Sequence, residues 1–362
     1  MRGFAVPQKG AAVLFFLLGG AAAILVWWAQ PDRGVRANQA GAPRGGHGHH
    51  VPPTKGSERY QYAYPAVKRL PADQVFNPVP PPPEAKPVHE YTLVVEENVE
   101  HEVAPGIKIP AWTFNGSVPG PVLRAREGET IRVKLVNHGT QPHTIHFHGI
   151  HPAPMDGVFE LVPPGQSYTY EFVAQPYGVF PYHCHSNPSS QHIQNGLYGM
   201  MIIDPKEGRP PVKEMAMVMS AFDLDRDGEA DFYSWNGKAF QYADNPIELK
   251  AGEPVRMYVL NIFEEMMAPH IHGNMFQLIR SGTALKSNEL TDVVALGIAE
   301  RAILEFHYDY PGTYMFQCHF SEHMELGLMG WFRVTGDAKG KPAKASAPDA
   351  LAGHLGAGEG KR

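Results

Sequence analysis

Along the middle of the chain, apolar and polar residues alternate with a period of two. Ile131, Val133 and Leu135 fall on one side while Arg132 and Lys134 fall on the other. Tyr168, Tyr170 and Phe172 repeat the habit, and Ala302, Leu304 and Phe306 later oppose Arg301 and Glu305. Successive side chains of a strand point to opposite faces, so these runs predict half-buried strands packed in a sandwich or barrel. The N-terminus breaks the pattern. Residues 11–29, AAVLFFLLGGAAAILVWWA, are uncharged and apolar, follow Arg2 and Lys9, and end in the Trp27–Trp28 pair. As a helix the run would reach about 28 Å, close to the hydrocarbon thickness. It predicts a transmembrane or signal helix, with the rest of the chain sent out of the cytoplasm.

The pattern divides the chain into five parts: an anchor or signal segment over 1–30, a Pro/Gly-rich linker over 31–88, one β domain over 89–206, a second over 207–337, and a disordered tail over 338–362. The linker cannot bury enough surface to fold alone, and its HGHH at 47–50 reads as incidental histidines of a solvated stalk. A chain of 362 residues has room for two ordinary domains. Its formal charge of -6 and the lack of a dense basic run argue against nucleic acid as a partner. The 19 histidines are the compositional oddity.

The two β domains carry matching motifs. GVFPYHCHSNPSSQHIQNGLYG begins at Gly178 and GTYMFQCHFSEHMELGLMG at Gly312. In both, Gly stands six residues before Cys, His follows Cys directly, and a second His opens H-x-x-x-G-L-x-G. An H-x-H-G precedes each, at His146 and His148 and again at His270 and His272. Two halves built on one plan are expected. The only cysteines, Cys184 and Cys318, occupy equivalent positions in separate halves, which makes thiolate chemistry or metal ligation a better reading than a disulfide.

A thiolate with two imidazoles makes a trigonal site suited to blue copper, and Cys184, His192 and His143 supply that set. Five residues after His192 the axial position is Leu197 rather than Met, which favours Cu(I). The remaining histidines are too many for one copper. H-x-H directs two imidazoles to one face of a strand, and His183 and His185 flank Cys184, pointing away from its thiol. A second cluster is therefore expected from His146, His148, His183 and His185 together with His270, His272 and His319. Zinc also takes His and Cys, but so many imidazoles beside a thiolate fit redox metals better.

On HFHG, YHCH, PHIHG and CHFSEH, with TFNGSVPGP as the first-domain entry strand, the sequence resembles the two-domain, laccase-like multicopper oxidases and is related to copper nitrite reductases. The resemblance spans roughly residues 90–336. It implies an all-β fold of two tandem cupredoxin-like Greek-key sandwich or barrel domains. It further implies a type 1 copper that takes electrons from a small donor and a trinuclear cluster that reduces dioxygen to water. By the family pattern His146 and His270 would hold the type 2 copper, and His148, His183, His185, His272 and His319 the type 3 pair. The cluster forms between subunits in two-domain members, so a homotrimer is implied.

Three departures from the family pattern bear on this. Met267 stands where the second domain's type 1 His would be, so the working type 1 copper is expected in the first domain only, although Met267, Cys318 and His323 could still take a soft Cu(I). Gln317 replaces the His expected before Cys318, which weakens one type 3 ligand set. Leu197 and Leu328 leave both axial positions aliphatic. Asp156, in PAPMDG, falls where the family carries a proton-relaying acid; as a turn residue before Gly157 it would need no such role. Asp223, Asp225 and Asp227 in DLDRDGEADFYS resemble a calcium loop, but Ser234 rather than Glu at position twelve favours a simple acidic turn.

These readings point to an oxidase. A nitrite reductase would carry Asp in the middle of the first motif and no His after the first Cys, where this chain has His146 and His185. A copper-binding or electron-transfer protein without turnover is the third class, supported by Gln317.

Overall fold

The computed structural model describes residues 13–18, 21–26, 79–80, 82–85, 87–287 and 289–337. The linker histidines and the C-terminal tail lie outside them. Near the N-terminus, β1 (Val13–Leu18) and β2 (Ala21–Val26) pair antiparallel, Val13 opposite Val26. The helix expected over residues 11–29 runs partly through residues outside the described ones. Phe15, Phe16, Ile24 and Val26 suit a strand, and Gly19-Gly20 is, as sequence, a two-residue hairpin signal that competes with helix. No helix among the described residues is long and apolar enough to cross a membrane.

The rest of the described chain is mostly β. Its first half contains β3 (Val88–Ala104), β4 (Ile107–Phe114), β5 (Leu123–Arg126), β6 (Thr130–Asn137), β7 (His146–Phe147), β8 (Ser167–Val173), β9 (Gly178–His183) and β10 (Tyr198–Asp204). They form two four-stranded sheets, ordered β4-β3-β6-β8 and β5-β10-β9-β7. The alternation read from sequence sets the faces. Ile131, Val133 and Leu135 are fully buried, whereas Arg132 reaches outward to Glu90 and Glu171. Phe147, Tyr170, Phe172 and Tyr182 close the core between the two sheets.

The second half repeats the plan with β11 (Lys213–Phe222), β12 (Phe232–Trp235), β13 (Asn245–Lys250), β14 (Val255–Asn261), β15 (Pro269–Ile271), β16 (Phe276–Arg280), β17 (Glu289–Thr291), β18 (Arg301–Phe306), β19 (Gly312–Cys318) and β20 (Met329–Thr335). Its sheets run β12-β11-β14-β18-β16-β17 and β13-β20-β19-β15. The parallel pairs match across the halves: β3 with β6 and β5 with β10, then β11 with β14 and β13 with β20. Parallel neighbours cannot be joined by a hairpin, so each half is knitted by chain that crosses between its sheets. The resulting architecture is the cupredoxin one, twice.

A third apolar cluster joins the halves, with Val103, Val118, Val179 and Ile202 packed among residues such as Val218, Tyr258 and Ile303. Beside it lies Arg124, 2% exposed, bonded to Asp204 at 2.6 Å and Glu214 at 2.7 Å; Glu214 also accepts from Tyr258 and Arg256. A buried guanidinium needs such partners, and removing one would leave an uncompensated charge. The junction is thus fixed by packing and charge together.

Candidate metal centre

Three loops at the end of the first half bring His143, Cys184 and His192 together. His143 lies just ahead of β7, Cys184 follows β9, and His192 rides on the short helix α1 (Ser189–Gln194). All three are buried. Cys184 Sγ lies 3.2 Å from His192 Nδ1 and 3.7 Å from His143 Nδ1, and the two Nδ1 atoms are 3.2 Å apart. The point equidistant from these atoms is about 2 Å from each, an ordinary metal–ligand length, so the set fits a trigonal thiolate–diimidazole copper.

The chain prepares this site closely. Leu197 is fully buried, and its carbonyl accepts the Cys184 amide at 3.0 Å. The Thr144 amide points at Cys184 Sγ from 3.4 Å, stabilising a thiolate, whereas burial raises the free thiol's pKa. Gly196, at φ +120, permits the turn after α1: a Cβ there would come 2.6 Å from the Trp112 carbonyl oxygen.

Two residues that complete the surroundings were missed in the sequence. Glu97 accepts from His143 Nε2 at 2.9 Å, which leaves Nδ1 to face the thiolate. Burial alone would raise Glu97, but hydrogen bonds from Thr140, His143 and Gln141 outweigh it and hold the carboxyl below its ordinary value. Trp112 sets its ring edge-on to His143 and His192, with centroids at 5.5 and 4.9 Å. No local motif announces either residue; both arrive from β3 and β4, far away in sequence.

On the other side of Cys184 the histidines expected to form a cluster do gather. The His146 ring lies 5.0 Å from His148, 5.3 Å from His183 and 5.5 Å from His185. Nε2 of His148 and Nε2 of His183 face each other at 3.4 Å. Burial, reinforced by neighbouring histidines, pushes His148 down to about 3; His183 falls to about 4, again chiefly by burial, so both are neutral and able to ligate. His183 Nδ1 donates to the Cys184 carbonyl at 3.0 Å, which aims its Nε2 into the cluster.

His270, His272 and His319 form the matching set in the second half, with ring centroids 4.9 and 5.0 Å from His270. One device fixes the leading histidine of each set. His146 Nδ1 donates to the backbone carbonyl of Asp156 at 2.8 Å, and His270 Nδ1 to that of Asp292 at 2.7 Å. Each therefore presents Nε2. Asp156 lies beside His146 as expected, its carboxylate 3.2 Å from Nδ1, and Asp292 is a counterpart the sequence did not single out. Gly157, at φ +74, presses this turn onto Ile145; a Cβ would stand 1.8 Å from the Ile145 carbonyl oxygen. His151 donates to the Phe147 carbonyl at 2.7 Å.

Among the described residues, no ring contact or hydrogen bond joins the His146 set to the His270 set. Gln317 stands opposite His270 across the β15–β19 ladder, and its buried Oε1 has no hydrogen-bond partner.

The sequence pattern of the multicopper oxidase family matches this chain over residues 97–208 and again over 209–338. A copper-containing nitrite reductase of Neisseria meningitidis serogroup B (strain ATCC BAA-335 / MC58) is 32% identical over 271 residues, covering 68% of this chain and 67% of that protein. A solved multicopper oxidase superposes with a TM-score of 0.67 at 45% identity, covering 68% of this chain and 89% of the other. The copper nitrite reductase from Nitrosomonas europaea superposes at 0.65 with 28% identity, covering 69% and 95%. With a trigonal thiolate site and paired histidine sets on a doubled cupredoxin frame, the chain belongs to the multicopper oxidase family and is a copper oxidoreductase.

Proposed function

We propose that the protein is a laccase-like oxidase that takes single electrons from a small reducing donor, a phenol or a metal ion, and passes them to dioxygen. The observation that carries this reading is the four-imidazole set of His146, His148, His183 and His185 beside Cys184. Copper, when bound, supplies the one-electron redox chemistry at both sites. The chain's own residues do the rest. Cys184 belongs to the first site while its peptide neighbours His183 and His185 belong to the second, so a covalent path of a few bonds links them. Donors have access beside His192, where Gln141, Pro142, Val158 and Leu161 line a cavity of about 190 Å³. Reducing dioxygen to water consumes protons, and the half-exposed Asp156 carboxylate, anchored at His146, is the group we assign to relay them.

The separation of the His146 and His270 sets within one chain supports a homotrimer in which neighbouring subunits complete a trinuclear cluster. The apolar run after Arg2 and Lys9 supports an extracytoplasmic, periplasmic location with the N-terminus at the membrane. Nitrite reduction is the second reading, favoured by the names of relatives; His146 and His185 count against it. Copper-loaded protein on an oxygen electrode decides between them. Oxygen uptake with a phenol donor is expected, and nitrite turnover without oxygen uptake would overturn the oxidase reading. Blue protein that turns over neither substrate would point to a carrier.

A further inference from the structure

Between β11 and β12 the chain runs Asp223-Leu224-Asp225-Arg226-Asp227-Gly228-Glu229-Ala230-Asp231. Calcium loops of the EF-hand kind take ligands from positions 1, 3 and 5, a backbone carbonyl at 7, and position 9, with Gly at 6 for the sharp turn. Asp223, Asp225 and Asp227 fill the first three, and Gly228 fills the sixth at φ +96. Loop amides fold back onto the acids: those of Arg226 and Gly228 reach Asp223 at 2.6 and 2.9 Å. Those of Asp227 and Glu229 reach Asp225 and Asp227 at 3.3 and 2.9 Å. Such bonds shape an acidic turn with or without an ion.

Asp231, the ninth residue, is what an acidic turn does not explain. It is 2% exposed, and only its Oδ2 is partnered, by the Leu224 amide at 2.7 Å. Its Oδ1 is buried without a hydrogen-bond partner. A carboxylate oxygen of Asp231 lies within 4.8 Å of ligand oxygens of both Asp223 and Asp225. Among the described residues no lysine or arginine forms an ion pair with any of these acids. Burial and the neighbouring acids push the Asp231 carboxyl above its ordinary value, so its charge is stabilised when a cation sits among these oxygens. Ser234, at the twelfth position, is buried in the β11–β12 ladder with its hydroxyl 3.0 Å from that of Ser220, so loop closure falls to Asp231 instead.

We propose that this loop is a calcium site held by Asp223, Asp225 and Asp231, with Asp227 and the Glu229 carbonyl at the positions that complete the shell. All-oxygen, carboxylate-rich donors suit calcium better than the smaller, geometrically stricter magnesium, and nothing in the loop suits copper. Calcium would tie down the hairpin that carries Tyr233, whose ring stacks on His323 at 4.0 Å.

The test uses full-length, copper-loaded protein dialysed into calcium-free buffer and titrated with calcium chloride by calorimetry and thermal melting. One calcium per chain, with Kd of roughly 10⁻⁴–10⁻³ M or tighter, and a Tm rise of about 3–5 °C are expected. Asp231→Asn should abolish both. Asp225 is exposed, so Asp225→Asn keeps the fold and the blue absorption while weakening calcium binding roughly tenfold or more. If Asp231→Asn does not fold, Asp225→Asn alone decides. The proposal is overturned if the wild type neither binds nor shifts at about 10 mM calcium. It is equally overturned if the variants respond like wild type, or if magnesium binds better.

Discussion

The two halves offer the same pocket to a metal and differ in one ligand. In the first, His143, Cys184 and His192 close a trigonal site; in the second, Met267 takes the place of His143 beside Cys318 and His323. Almost everything else is kept. The Thr144 amide reaches Cys184 Sγ at 3.4 Å, and the Ala268 amide reaches Cys318 Sγ at 3.2 Å. The Cys184 amide bonds the Leu197 carbonyl and the Cys318 amide the Leu328 carbonyl, both at 3.0 Å. His323, on the helix Ser321–Glu325, keeps its Nδ1 3.4 Å from Cys318 Sγ. Even the aromatic neighbours correspond, Trp112 on the imidazoles of the first site and Tyr233 stacked on His323 in the second. The thiolate pocket therefore belongs to the fold, and the second imidazole decides whether it can cycle between copper oxidation states. A thioether in that place favours Cu(I), which under the proposed function leaves electron entry to the first half.

The carboxylate partners diverge with the ligands. Glu97 orients His143, the very residue the second half has lost, whereas Glu265 binds the Tyr233 hydroxyl at 2.7 Å and lies 3.4 Å from His323 Nε2.

The largest expected effect comes from splitting the first half's two tasks. His146→Ala should leave the blue absorption intact and lower oxygen uptake by at least about 100-fold; loss of the blue colour would mean that the two sites are not separable. Restoring the missing ligand probes the comparison from the opposite side. Met267→His should add a second blue copper, roughly doubling the thiolate-to-copper absorption per subunit, as measured by spectrum and copper count. An unchanged spectrum would show that more than one ligand separates the halves.

A smaller effect follows from Glu97. Glu97→Gln removes the carboxylate that fixes His143, and copper binding at the first site should weaken by roughly 10- to 100-fold in competition with a chelator. The mildest is a pH effect on the metal-free protein. Burial holds His148 near 3 and His183 and His192 near 4, below the ordinary 6.5, so the unfolded chain binds more protons in acid. Their stabilisation is complete above about pH 6.5 and is lost as pH falls toward 4. The metal-free Tm should drop across that window, and a flat profile would contradict the burial of these rings.

Period-two runs such as Ile131–Leu135 and Ala302–Phe306 were legible as strands because alternation and burial coincide there. The metal-centre histidines and Cys184 were legible because a ligand set needs fixed local spacing. Glu97 and Trp112 were not: they reach the site through strand pairing, and Glu97 lies within a register shift of the β3–β4 ladder that no local pattern encodes. Asp292 was hidden because its backbone carbonyl, open to any residue type, does the work. In the N-terminal run, apolar length alone does not separate a helix from a hairpin.

The central claim is that electrons enter through the first half alone. Visible absorption of copper-loaded Cys184→Ser and Cys318→Ser tests it most directly. A colourless Cys184→Ser protein and a Cys318→Ser protein as blue as wild type are expected; bleaching by Cys318→Ser, with colour retained in Cys184→Ser, would place electron entry in the second half instead.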